Sequence, residues 1–235
     1  MNLKRFIRKH KKTNRFIFFS LLACTLHGCQ PQQTSLNCGS FQTVYKTDDL
    51  IDHSFIYNNE DKQWHLFGII HPDTSFIHLT ASSLRDTNWK REANFTDHGK
   101  NIWAPHIIKN GDLFYMFYTR IGKPREICYA TSKDLYHWNY NNTPVLAQTN
   151  EYTDDLKNKD PMIFYDENQQ QWIMYYSMMK NRAQWVVGYS TSKDLKSWSA
   201  YKICFDEDTS SPGVESPFVI KHNDEYLLFL SAAKS

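Results

Sequence analysis

The sequence has 235 residues, 41% of them hydrophobic and 15% aromatic, with only eight glycines and eight prolines. This composition suits a β-rich globular chain and excludes a disordered or collagen-like one. The formal charge of +2 hides an uneven distribution: seven Lys and Arg fall in the first 15 residues, so the remainder carries 20 basic against 25 acidic residues, and an acidic body excludes nucleic acid as a partner.

In chain order, residues 1–28 form a secretory signal, because the basic stretch from Lys4 to Arg15 precedes the apolar run Phe16–Leu26 and contains no Asp or Glu. That run has eleven residues, too few for a membrane-crossing helix, which takes about 20. Leu26-His27-Gly28-Cys29 follows directly and resembles the lipobox of bacterial lipoproteins. The resemblance implies acylation at Cys29, an exported chain, and a lipid anchor holding it to a membrane on the periplasmic side or at the cell surface. Residues 29–44 then form a polar tether. Beyond Cys29 the cysteines Cys38, Cys128 and Cys204 are widely spaced and include no CxxC pair. A zinc site is not expected from them; small buried hydrophobes are.

From residue 45 onward the sequence repeats. Ser132-Lys133-Asp134-Leu135 with Trp138 recurs as Ser192-Lys193-Asp194-Leu195 with Trp198, and a looser copy, Ser83-Leu84 with Trp89, precedes both. Ahead of each copy stand three short runs rich in Ile, Val, Tyr, Phe and Trp, separated by turn residues such as Asn110-Gly111-Asp112. The first unit has residues 54–59, 63–69 and 76–81, the second 105–110, 113–119 and 126–131, and the third 161–166, 171–177 and 185–191. Helical periodicity is absent after residue 40. Each unit of about 54 residues reads as a four-stranded antiparallel sheet whose last strand carries the Trp. Such a sheet cannot bury both faces alone, and radial packing into a β-propeller solves that problem. A fourth unit begins at residues 216–223 and 225–232, so an all-β fold of about three and a half blades is expected over residues 45–235.

Inner strands of a propeller start at one mouth of its channel, so polar residues at their heads share a pocket. The heads are Asp52, the run Trp103-Ala104-Pro105, Asp160 and Glu215, with 108 residues from the first Asp to the second and 55 from there to the Glu. These separations predict equivalent places for the three carboxylates. Close carboxylates push each other's proton affinities apart, and that lets one serve as acid and another as base. Trp89, Trp138 and Trp198 repeat with the fold and read as packing residues.

Asp in the first unit, WAP in the second, DP in the third and Glu-x-Pro in the fourth resemble the five-bladed propeller glycoside hydrolases, family 43 with its relatives in families 32, 62, 68 and 117. The resemblance spans roughly residues 45–235 and implies a C-terminally incomplete propeller. It implies Asp52 as general base, Asp160 as the residue that orients the sugar and tunes the acid, and Glu215 as general acid. Trp103 would wall the sugar site, with His53 and His106 at strand heads lining it. The implied substrates are polysaccharides or oligosaccharides with arabinofuranosyl or xylosyl linkages. The expected course is inversion, with carboxyls of Asp52 and Glu215 roughly 6.5–9.5 Å apart. No cofactor is required; a structural calcium in the channel occurs in relatives. His53 stands where family 43 has Pro after its first Asp, and Lys159 and Ser216 stand where family 32 has Arg and Cys. A non-catalytic carbohydrate-binding propeller, an inactive fragment, or a family 32-like retaining fructosidase are the other readings these residues leave open.

Overall fold

The computed structural model describes residues 3–5, 50–70, 75–122, 125–146, 158–180, 184–206, 213–222 and 225–232. Apart from residues 3–5, the signal lies outside the described residues, as do Cys29, the tether and Cys38.

Three four-stranded antiparallel sheets follow one another in chain order. The first holds β2 (Leu50–Asn58), β3 (Gln63–Ile70), β4 (Phe76–Ala81) and β5 (Lys90–Arg91). Next come β6 (Ile102–Asn110), β7 (Leu113–Arg120), β8 (Glu126–Ser132) and β9 (Asn139–Tyr140). The third sheet is β10 (Lys159–Asp166), β11 (Gln171–Lys180), β12 (Gln184–Ser192) and β13 (Lys202–Phe205). A fourth pairs β14 (Val214–His222) with β15 (Glu225–Ala232), and a short β1 (Leu3–Arg5) runs parallel along the far edge of β15. There is no helix among the described residues. Blade count and strand order are those expected from the repeat, and the sheets are blades of a β-propeller.

The central strands read as unbroken apolar runs because both of their faces are covered. On β7, Phe114, Met116 and Tyr118 pack against Phe67, Ile69 and Phe76 of the first blade. The alternate residues Tyr115 and Phe117 pack against Met174, Tyr176 and Val186 of the third. A further layer, with Met162, Ile173 and Tyr175 against Val214, Val219 and Leu228, joins blades three and four. Each buried side chain of this size contributes about 1.5–3 kcal/mol, so the interfaces between blades, more than any sheet alone, hold the fold.

The repeated Ser-Lys-Asp-Leu segment is a built turn rather than a strand. Ser132 Oγ accepts the amides of Asp134 and Leu135, Asp134 accepts those of Tyr136 and His137, and Trp138 Nε1 donates to the Leu135 carbonyl. Ser192, Asp194, Leu195 and Trp198 repeat the same bonds. The Trp therefore stands in the turn ahead of the fourth strand, not on that strand as the repeat suggested. Leu135 and Leu195 adopt left-handed backbone at φ 69° and 64° with their side chains fully buried, and packing offsets that strain.

Inner strands β2, β6, β10 and β14 are neighbours in that order, and among the described residues β14 does not touch β2. Exposure records the opening. Phe55 is 41% exposed where its counterparts Ile107, Ile163 and Val219 are at most 5% exposed, and Phe218 is 49% exposed where Ser54 and Met162 are at most 9%. Cys128 is buried and Cys204 half-buried, both as free thiols, in line with packing roles; burial pushes each thiol up to about 12.

Candidate active site

Every inner strand breaks its ladder at the same place. The register shifts between Ile51 and Ser54, Trp103 and His106, Lys159 and Met162, and Glu215 and Phe218. Within each break one non-glycine residue is left-handed: Asp52 at φ 43°, Ala104 at 52°, Asp160 at 57° and Ser216 at 52°. A bulge of this kind bends a strand and re-aims its side chains. Proline follows in three of the four cases (Pro105, Pro161, Pro217), where the missing amide costs no ladder bond, and His53 fills that place in the first blade.

This register corrects the equivalence read from spacing. Asp52 and Asp160 occupy the left-handed position, but Glu215 is the residue before it. Glu215 corresponds to Lys159, Trp103 and Ile51, each the last paired residue ahead of its bulge. Acid-to-acid spacing misled because a Glu one residue early is nearly one repeat away; aligning the Pro residues instead gives the observed register.

Asp160 joins three blades. Its amide donates to Thr119 Oγ1 of blade two at 3.1 Å. Oδ2 accepts Ser177 Oγ at 3.2 Å from its own blade and the Ser216 amide at 3.1 Å from blade four. The buried Lys159 stands beside it, with Nζ 3.5 Å from Asp160 Oδ2 and 2.8 Å from Glu215 Oε1. Asp160 and Lys159 side chains are 10% exposed while that of Glu215 is 34% exposed, so the Asp is fixed and the Glu reachable. Asp52, on the first blade, is exposed.

His106 lies between blades: its Nδ1 accepts the Ile163 amide at 3.2 Å, which requires an unprotonated Nδ1, and burial lowers its pKa to about 4. Ser54 does the same one blade earlier, its Oγ accepting the Ile107 amide at 3.2 Å. The hydrogen bond gives His106 an interblade part that the expectation of a sugar contact did not contain. His53 is exposed at its strand head, edge-on to Phe55 at 5.3 Å, and partial desolvation by its surroundings lowers its pKa. Gly68 makes room for it, since a Cβ there would meet His53 Cβ at 3.0 Å and Leu50 Cδ1 at 2.8 Å. Trp103 is half-buried with the Arg125 guanidinium 5.3 Å from its ring centre. Lys159, Trp185 and Gly213 were not among the residues expected from sequence. The signal for the first was a lysine directly ahead of the Asp-Pro pair. Among the described residues no three His, Cys, Asp or Glu side chains are grouped so as to hold a metal ion.

Asp160, held through Oδ2 by Ser177 and Ser216, and the half-buried Glu215 share the Lys159 ammonium, and two carboxylates in unequal surroundings are able to divide acid and base work; Asp52 stands exposed on the first blade. Among curated proteins, the chain is 27% identical over 157 residues to a probable sucrose-6-phosphate hydrolase of Psychromonas ingrahamii, covering 62% of this chain and 28% of that protein. Among solved structures it resembles a family 43 endo-arabinanase from Bacillus licheniformis, with a TM-score of 0.65, 16% identity, and coverage of 81% of this chain and 68% of that one. The Bombyx mori family 32 β-fructofuranosidase superposes with a TM-score of 0.65 at 17% identity, over 77% of this chain and 41% of that one. The chain thus spans little more than a quarter of its curated relative. The model for "Glycosyl hydrolases family 43" matches residues 84–235, well over half of the sequence and every described strand from β6 to β15, and the chain belongs to that family.

Proposed function

We propose that the protein hydrolyses glycosidic bonds in oligosaccharides or polysaccharides containing arabinose or xylose. In this reading Glu215 protonates the leaving oxygen, Asp52 activates water, and Asp160 orients the sugar. The observation that carries it is the shared ammonium of Lys159 between Asp160 and Glu215, which draws two carboxylates from adjacent blades to one point. Their unequal exposure supports unequal roles: Asp160, fixed through Oδ2 by Ser177 and Ser216, is suited to hold a hydroxyl, and the more accessible Glu215 to exchange a proton. Family membership and the arabinanase likeness favour arabinosides; the sucrose-6-phosphate hydrolase likeness favours a fructoside as the second candidate. We further propose that the chain is exported and acylated at Cys29, with residues 45–235 as its catalytic unit, on the strength of the basic and apolar leader.

Purified protein assayed on aryl arabinofuranosides, aryl xylosides and sucrose, beside Glu215→Gln, tests the reading. Turnover lost about 10²–10⁴-fold in the variant is expected. Turnover that survives the substitution removes Glu215 from its role, and a wild-type protein that binds these sugars without cleaving them makes it a carbohydrate-binding propeller.

A further inference from the structure

Two cation–aromatic contacts occupy the same pair of positions in successive blades, with the partners exchanged. Trp103 and Lys159 are the matching heads of β6 and β10, paired with Thr119 and Ser177 respectively. Thr119 pairs with Ile127 and Ser177 with Val187, and two residues before these stand Arg125 and Trp185. In blade two the aromatic is on the inner strand and the cation opposite; in blade three Lys159 is on the inner strand, with Nζ 4.9 Å from the centre of the Trp185 ring. The exchange delivers an ammonium to the channel mouth, where a π face holds it without neutralising it.

Trp185 also touches the strand that carries Glu215. A Cβ on Gly213 would lie 2.8 Å from Trp185 Cδ1, and Gly213 has φ 125°, so this place admits the ring only because it is glycine. Gly213 is two residues ahead of Glu215. The contacts close a circuit: Glu215 Oε1 to Lys159 Nζ, Lys159 to the Trp185 face, and Trp185 to Gly213 at the start of the Glu215 strand.

We infer that Lys159, seated by Trp185, is a positioning residue for Glu215. The ion pair engages Oε1 and fixes the carboxyl's rotation, which leaves Oε2 as the oxygen that carries the proton to the leaving group. Because the ammonium is shared with Asp160, neither carboxylate receives its whole charge. The inference rests on the proposed glycosidase reading and deepens it.

A positioning role acts through the acid, so its loss should depend on how much the leaving group needs a proton. Lys159→Met, Lys159→Arg, Trp185→Leu and Gly213→Ala would be compared with the wild type on two aryl glycosides, one releasing a dinitrophenol and one a weakly acidic phenol. For Lys159→Met the expected result is a fall in kcat of about 10²-fold on the weakly acidic phenol, a few-fold at most on the dinitrophenol, and little change in KM. Lys159→Arg should recover part of that loss, while Trp185→Leu and Gly213→Ala should show the same leaving-group pattern at smaller size. Equal losses on both substrates, or a loss confined to KM, would overturn the inference. Should the wild type cleave neither glycoside, the glycosidase reading fails, and crystal structures of wild type and Lys159→Met still decide the positioning claim. They should show the Glu215 carboxyl turned away from Asp160 in the variant, and an unmoved carboxyl would refute it.

Discussion

Asp160 Oδ2 accepts the backbone amide of Ser216 at 3.1 Å, so a carboxylate of one blade is bonded to the bulge of the next. The same oxygen takes Ser177 Oγ, and the Asp160 amide reaches Thr119 of the preceding blade. The residue proposed to orient the sugar is therefore also a fastener between blades two, three and four. Asp160→Ala should lower stability by about 1–3 kcal/mol, because it strands a buried donor, and should reduce turnover as well. Asp160→Asn keeps an acceptor for Ser216 and should lose turnover while keeping most of the stability, measured by urea unfolding beside a rate assay.

The interblade bonds from Ser54 to the Ile107 amide and from His106 to the Ile163 amide repeat one device with different side chains. Ser54→Ala should cost about 1–3 kcal/mol, since the Ile107 amide is left without its acceptor in a buried seam. His106→Asn, which offers a carbonyl at a similar reach, should cost less than His106→Leu.

Histidine burial sets a pH limit. Burial lowers His106 from 6.5 to about 4. His78 falls from 6.5 to about 3, chiefly by burial and then by the neighbouring His65, whose Nδ1 lies 2.8 Å from its Nε2; Lys90 adds to the fall and Asp61 and Glu92 oppose it. Both rings are neutral in the folded state, and the unfolded chain binds their protons more readily. The stability they support is therefore complete above pH 6.5 and is lost as pH falls toward about 4 for His106 and about 3 for His78. Unfolding free energy should drop by up to about 1.4 kcal/mol per pH unit per histidine in that window. His106→Asn should flatten the dependence, and denaturant titrations at pH 7.5, 6 and 5 would measure it.

The Ser-x-Asp-Leu turns give a check on the repeat itself. The amides of Ser197 and Lys196 hold the Asp194 carboxyl down to about 2, and the His137 ring and amide hold Asp134 low against its partial burial. Asp194→Ala and Asp134→Ala should each cost about 1 kcal/mol, by losing bonds to exposed amides, with the two costs similar because the turns are built alike. Thermal unfolding of the two variants side by side would test this.

The blades were legible because their middle strands have two covered faces, which leaves long runs such as Phe114–Tyr118 and Ile173–Tyr176 flanked by turn residues. Asp160 and Glu215 were legible as a pair of strand heads, and the structure joins them through Lys159. Their relative register was not, because a bulge adds a residue that spacing alone cannot assign to one side or the other. The prolines at 105, 161 and 217 held that information, since Pro marks where the ladder is already broken. Trp185 and Gly213 were hidden for a different reason. Trp185 reads as one more aromatic at a strand start, and its contact with Gly213 joins residues of different blades. The Trp of each turn was placed one element late because a turn held by side-chain oxygens looks, in sequence, like the start of a strand.

Stereochemistry follows from the proposed division of labour. With Asp52 activating water, the product sugar should appear first as the inverted anomer, and proton NMR during the first minutes of cleavage would show it. Retained anomer would instead assign Asp52 the role of nucleophile.

The most direct test of the central claim, that Glu215 and Asp52 are the acid and base of a glycosidase, is kcat/KM on an aryl arabinofuranoside for wild type, Glu215→Gln and Asp52→Asn. The expected result is measurable wild-type turnover and a loss of about 10²–10⁴-fold in each variant, with melting temperatures near that of the wild type. Variants that fold and cleave as fast as the wild type would contradict it.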